Sequence, residues 1–416
     1  MAGKELSPVK VCGIFNAGHE EALACGLRNF TPSKTARAIE RDLALLPYWA
    51  MECDAVVVPC VEECLGFLSA LPLARRGKTL VSSLCEARGA AVLPWGWDKA
   101  VVCEAQKAGL AVGVGNDEIE TLRRLQSRRF GSRFLGMLLR RLRSCEKLAG
   151  LRFAGESYFA ENEQEAAEIV GKLGKCVLKR PLSGSGRGVL LAVNGTGERA
   201  RDWCSASCRR QGGVEIQPYY EKIADFAMEF RKEARKPYEF LGYSEFSTDA
   251  GGGYGGNFLS QGSLRGEDIW RIAGASKGEA AAFEHCVAEM LGSSVPEYAG
   301  FLGIDMMLCK TVHGAAVFPC VEMNFRHTMG MAANSLGIVP AAGSAAWFGI
   351  LSGNHRGELL AETRKLACAM PLVKGVSNDG CDSFAAGYLP LTPVNADTLF
   401  HACMFFERGG RFAASL

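Results

Sequence analysis

No stretch of this 416-residue chain reaches the roughly 18 uninterrupted apolar residues of a membrane span, and the apolar run in MAGKELSPVKVCGIFNAG breaks too early for a signal peptide. A cytoplasmic protein with no membrane partner is the expectation. A charge surplus is missing as well: 47 Lys and Arg stand against 45 Asp and Glu, so no global field gathers nucleic acid. Any anion must be held by local groups. The 17 cysteines lack the spacing of a zinc cage, because their closest pairs, Cys60 with Cys64 and Cys204 with Cys208, have no partner pair or histidines nearby. They read as small apolar side chains kept reduced. Two common phosphate loops are absent too. The first strand-to-helix turn is not GxGxxG, and RRGKT at 75–79 has Pro72 where a Walker loop needs its first glycine.

What is present is ordinary for a soluble globular chain, at 48% hydrophobic and 22% charged, which excludes disordered and fibrous classes. Short β-branched runs at 8–15, 52–60 and 78–84 alternate with helical stretches such as 32–50, predicting a parallel, doubly wound sheet. Ligands of such sheets sit beyond the carboxyl ends of strands, which draws attention to NAGHE at 16–20 and PWGWD at 94–98. The basic segment 123–147 carries leucines and phenylalanines at helical spacing between its arginines, and reads as one amphipathic connecting helix with a solvated basic face. DAGGGYGGNFLSQG at 249–262 has six glycines in fourteen residues, the composition of a hairpin tip or lid.

Two motifs carry chemistry. In VLKRPLSGSGRGVLLAV (177–193), Lys179 ends an apolar run and Gly184, Gly186 and Gly188 precede the next. Three glycines in five positions between strands fit a backbone that closely approaches phosphate, its N–H groups over 183–188 forming the cradle and Lys179 supplying fixed charge. In VEMNFR (321–326), a strand puts Glu322, Asn324 and Arg326 on one face and Met323 and Phe325 on the other. GIDMML has the same design around Asp305. If the two strands form an antiparallel hairpin around TVHG, Asp305 and Glu322 become direct or diagonal neighbours. Carboxylates so close call for a hard cation between them, and magnesium shared with phosphate oxygens suits the pair.

VLKRPLSGSGRGV, EIQPYYEKIADFAMEF, GIDMML and VEMNFRHTMG together resemble the ATP-grasp superfamily over about residues 130–340. The resemblance implies an N-terminal α/β pre-ATP-grasp domain followed by an α+β ATP-grasp fold, whose two subdomains sandwich ATP. The expected division is 1–130 for the α/β domain, 131–213 and 214–346 for the two subdomains, and 347–416 for a C-terminal extension. By this resemblance Lys179 contacts the α- and β-phosphates while Ser183, Gly184, Ser185, Gly186 and Gly188 close over them. Glu215 and Gln217 fall in the adenine hinge, Gln217 replacing the family's usual glutamate, and Arg129 matches the early nucleotide-binding lysine. Asp305, Glu322 and Asn324 match the Mg2+ ligands, and Arg326 matches the arginine that stabilises an acyl phosphate or tetrahedral species.

These readings converge on an ATP- and magnesium-dependent ligase that joins a small-molecule carboxylate to an amine or thiol through an acyl phosphate, with Arg326 and Lys179 as catalytic groups. Two alternatives stay open, a kinase on the same scaffold and a silent ATP-binding module. Asn16, His19, Glu20, Trp95 and Trp97 either line an acceptor pocket or serve capping and packing. His327, of opposite strand parity to Arg326, reads as packing or support. A homodimer is allowed.

Overall fold

The computed structural model describes residues 10–184, 188–193, 197–249, 252–260, 266–376 and 381–409. By its contacts the chain divides into two compact units, residues 1–119 with 332–416, and residues 120–331. The expected doubly wound sheet opens the first unit. Strands β1 (Val11–Ile14), β2 (Ala55–Val57), β3 (Thr79–Val81) and β4 (Ala91–Pro94) pair in parallel in the order β3-β2-β1-β4. Cys12, Ala55, Val81 and Val92 are buried in one cluster with Ala105, as befits a sheet covered by helices.

Those helices are α1 (His19–Cys25), α2 (Lys34–Asp42), α3 (Leu46–Ala50), α4 (Val61–Ala70) and α5 (Lys99–Lys107). The single helix expected over 32–50 is thus two. Ser33 caps the first, its hydroxyl accepting from Ala36 N, and Pro47 sits in the opening turn of the second, where its missing N–H costs nothing.

The division falls within α6 (Asn116–Gln126), and the second unit continues with α7 (Arg128–Arg143). Here too one expected helix is two: Ser127 adopts an extended backbone and caps α7, so the basic segment breaks immediately before Arg128. Next come β5 (Tyr158–Ala160), α8 (Glu163–Leu173), β6 (Cys176–Lys179), β7 (Val189–Ala192), α9 (Glu198–Gln211) and β8 (Val214–Pro218). Their strands form an antiparallel sheet in the order β5-β8-β6-β7. The remaining elements are β9 (Glu221–Lys232), β10 (Glu239–Thr248), β11 (Tyr254–Leu259), α10 (Glu267–Ala273), α11 (Lys277–Ser294), β12 (Gly300–Thr311) and β13 (Gly314–Asn324). Strands run β13-β12-β9-β10-β11, antiparallel throughout the described ladders.

One face of β9 carries Phe226, Met228 and Phe230, all buried, and Trp270 of α10 stands edge-on to Phe226 and to Phe283 of α11. This aromatic layer leaves the opposite face of the sheet for polar residues. Of the glycine-rich stretch 249–262, Gly255 and Gly256 lie within β11, and residues 250, 251, 261 and 262 fall outside the described set.

Residues after 331 return to the first unit through α12 (Met329–Ser335), β14 (Ile338–Pro340), β15 (Ser344–Ser352), α13 (Glu358–Ala369), β16 (Val373–Lys374), β17 (Asp382–Pro390) and β18 (Phe400–Arg408). Strands β15, β18 and β17 are antiparallel neighbours, with β14 parallel and β16 antiparallel to β17. All 17 cysteines are free thiols, and no helix among the described residues is long and apolar enough to cross a membrane.

A buried polar trio ties this last sheet together. The Tyr388 hydroxyl lies 2.6 Å from His401 Nε2, and Thr392 Oγ1 lies 3.1 Å from Nδ1. Burial pulls the His401 imidazole down to about 3, below its unfolded value, so the folded state resists protonation. The stability this contributes is complete above the unfolded pKa and is lost as pH falls from about 6.5 toward 3. Between pH 6.5 and 5 the loss is about 1.5–2 kcal/mol, and His401→Gln should show a correspondingly shallower pH dependence in chemical denaturation.

Candidate functional site

The strands that flank the glycine loop form an antiparallel pair. Lys179 of β6 faces Val189 of β7, and Arg180 N donates to Gly188 O at 2.9 Å. A Cβ at Gly188 would overlap the Ser183 hydroxyl, so the close approach requires glycine there. Gly184 is half-buried beside it, while Ser185 and Gly186 lie outside the described residues.

Lys179 also pairs across the sheet with Glu215 of β8, which places both side chains on one face. Its ammonium donates to Val321 O at 3.1 Å and lies 4.0 Å from Glu215 Oε2. Desolvation pulls the lysine below its ordinary pKa and raises Glu215, while each charge opposes the shift of the other. Glu215 Oε1 accepts from Ser157 Oγ at 2.7 Å and Gln217 Nε2 at 3.1 Å, and Gln217 reaches Val321 O at 3.3 Å. The hinge residues are therefore occupied with one another. Glu215 Oε2 accepts no hydrogen bond among the described residues and lies between two cations, Lys179 and Arg128, the latter at 3.9 Å.

The carboxylate hairpin forms, with a register shift between Asp305 and Met307, and makes the two carboxylates direct rather than diagonal neighbours. Asp305 of β12 sits directly opposite Glu322 of β13, and Gly303 opposite Asn324. Burial, then Glu322 and Glu229, push the Asp305 carboxyl up to about 8, against the pull of Arg326 and Asn324. Asn324 Nδ2 donates to Asp305 Oδ2 at 3.1 Å. Arg326 departs from the expected strand alternation because β13 ends at Asn324 and the chain turns. The guanidinium still returns to the cluster, Nη2 donating to Asn324 Oδ1 at 2.9 Å and Nη1 to His327 O at 3.1 Å. His327 packs against Phe301 with ring centroids 3.9 Å apart, and burial lowers its pKa to about 3, which fits packing rather than proton transfer. Among the described residues no three His, Cys, Asp or Glu side chains form a metal cage. The candidate ligand set is two carboxylates and one amide.

Arg128 is the group that the sequence reading missed. Its guanidinium donates to Arg180 O at 2.6 Å, Ser183 Oγ at 2.7 Å, Ser183 O at 3.1 Å and Glu322 Oε1 at 2.6 Å. One buried side chain thus links the glycine hairpin to the carboxylate hairpin. The neighbouring Arg129 turns away, pairing with the exposed Glu161 and lying 4.7 Å over the Phe159 ring. The spacing held the clue: Arg128, Leu135 and Leu142 recur every seven residues on the buried side of α7, a face that Arg129 does not share.

In the first unit, the loops after β1 and β4 are tied to each other. Asn16 Nδ2 donates to Gly96 O at 2.7 Å and to Asp98 Oδ2 at 3.1 Å, and Asp98 caps α5 through Ala100 N and Val101 N. His19 and Glu20 are buried, and Trp95 packs edge-on to Phe15 at 4.9 Å. Capping and packing account for these contacts.

No protein-family model matches the chain, and no curated protein matches it either. Among solved structures, a biotin carboxylase in complex with beta-gamma-ATP from Campylobacter jejuni is similar over 96% of this chain and 88% of its own, at 11% identity and a TM-score of 0.51. N5-carboxyaminoimidazole ribonucleotide synthetase from Thermus thermophilus is 15% identical over 95% of this chain and 93% of its own, with a TM-score of 0.47. The corresponding synthetase from Staphylococcus aureus, complexed with ADP, is 11% identical over 98% and 96%, with a TM-score of 0.44. The fold assignment rests on the first of these. The chain has the ATP-grasp fold, preceded by an N-terminal α/β domain.

Proposed function

We propose that the protein is an ATP- and magnesium-dependent ligase that joins a small-molecule carboxylate to an amine, or a thiol, through an acyl phosphate. The observation that carries this reading is the direct opposition of Asp305 and Glu322, linked through Arg128 to the hairpin that bears Lys179. Two carboxylates at this spacing, one of them raised to about 8, fit a divalent cation that would relieve their repulsion. Asp305, Glu322 and Asn324 would hold magnesium, which would neutralise charge on the transferred phosphoryl group.

The chain's own groups do the rest. Lys179, Arg128 and the backbone N–H groups around Ser183, Gly184 and Gly188 hold phosphate oxygens in line with an incoming carboxylate. Arg128 takes the role that the resemblance assigned to Arg129. Glu215 and Gln217 orient the lysine and border the nucleoside. Arg326, fixed through Asn324, faces the charge that develops at the acyl group as the amine attacks.

The test is ADP release from MgATP with pooled amino acids and small carboxylates. Release that depends on a carboxylate supports the ligase. Release that depends instead on an alcohol, without acyl activation, makes the protein a kinase.

A further inference from the structure

Glu229 takes no part in the chemistry just described, yet it lies on the same face of the sheet. It sits in the middle of β9 opposite Gly303, while Asp305 faces Ala227 on that strand and Asn324 faces Gly303 from the other side. Period-two alternation therefore puts Glu229 among the polar residues, with Phe226, Met228 and Phe230 on the reverse. Only 1% of its surface is exposed. Burying a carboxylate so completely costs more than burying an apolar residue of the same size, unless its oxygens are used.

Oε1 is used by Ser244 of β10, Oε2 accepts no hydrogen bond among the described residues, and the turn that follows β13 packs against both. The Ser244 hydroxyl donates to Oε1 at 2.8 Å, and the Thr328 hydroxyl lies beside the carboxylate while accepting from Met331 N at 3.0 Å. Two glycines make room for this contact. A Cβ at Gly303 would come within 2.8 Å of Oε2 and 2.7 Å of Thr328 Cγ2, and one at Gly330 would overlap both Oε1 and the Ser244 hydroxyl. The segment 328–330 is therefore folded directly onto Glu229. Burial pushes the Glu229 carboxyl up to about 7, against the pull of the Ser244 and Thr328 hydroxyls and of Arg326, two residues before Thr328.

We propose that Glu229 anchors the turn 326–330 and is the positioning residue that sets the Arg326 guanidinium at the reacting end of the site. This inference rests on the ligase reading only in taking Arg326 to face the phosphoryl or acyl oxyanion. Glu229 holds the turn through Thr328 and Gly330 and holds the guanidinium through charge. A glutamine keeps the shape and the Ser244 hydrogen bond but removes the charge.

The experiment titrates inorganic phosphate into the protein at saturating MgADP, and separately titrates MgADP alone, for wild type, Glu229→Gln, Arg326→Ala and the double variant. Expected is phosphate affinity weakened about tenfold by Glu229→Gln, MgADP affinity within about twofold of wild type, and no further loss when Glu229→Gln is added to Arg326→Ala. Gly330→Ala, which displaces the same turn without touching the carboxylate's charge, should weaken phosphate in the same way. Unchanged phosphate affinity in Glu229→Gln, or losses that add in the double variant, would overturn the positioning role. Failure of wild type to bind MgADP would instead overturn the nucleotide reading, and this inference with it.

Discussion

Arg128→Ala should lower the unfolding free energy by about 3–5 kcal/mol, the cost of removing one partner from a buried ion pair. The size follows from what the guanidinium leaves behind. Glu322 loses its 2.6 Å partner, Glu215 keeps only Lys179 as a nearby cation, and the Arg180 and Ser183 oxygens lose three hydrogen bonds. Arg128→Lys should recover part of the loss, since a lysine restores the charge but cannot span Ser183 and Glu322 with a planar fork. Arg129→Ala is the matched control. Its ion pair with Glu161 is exposed on both sides, so its cost should stay within about 1 kcal/mol. Urea denaturation of the three variants decides the matter, and equal costs for positions 128 and 129 would contradict the site as described.

Glu322→Gln should reduce magnesium-dependent turnover roughly 10²-fold or more, the scale expected when a group that stabilises transferred charge is removed. An amide in that position can still accept from Arg128, so the fold and the hairpin link should survive with a small stability cost. What is lost is one of the two carboxylates that face each other across the β12–β13 ladder. The separation is measurable by titrating ATP with and without magnesium. Wild type should bind ATP more tightly with the metal, and the variant should bind equally in both conditions, at the wild-type affinity without metal. A variant that retains the metal dependence would remove Glu322 from the ligand set.

The parts of the site legible in the sequence are those governed by strand alternation. A two-residue side-chain period was enough to put Asp305 and Glu322 on one face, but the register counted back from the TVHG turn would set Cys320 opposite Asp305, and a shift between Asp305 and Met307 brings Glu322 there instead. What was not legible depended on where elements end. Arg326 was placed by alternation on a strand that stops two residues earlier, and it reaches the cluster through a turn instead. Arg128 and Arg129 differ by one position on a helix whose start is fixed by the Ser127 cap, and that single step of about 100° separates a buried link from a surface pair. Glu229 was not singled out by the sequence. Its burial comes from Gly303 and Gly330, which are distant in sequence and identifiable only once the strands and the turn are in place. The 347–416 segment was expected as a C-terminal extension, and its grouping with residues 1–119 is a matter of long-range contacts.

The most direct measurement is hydroxamate formation from MgATP, pooled small carboxylates and hydroxylamine, with Glu322→Gln in parallel. The ligase account predicts a hydroxamate that forms in step with ADP, requires one fraction of the carboxylate pool, and disappears in the variant. ADP release with no hydroxamate from any carboxylate would contradict acyl-phosphate chemistry at this site.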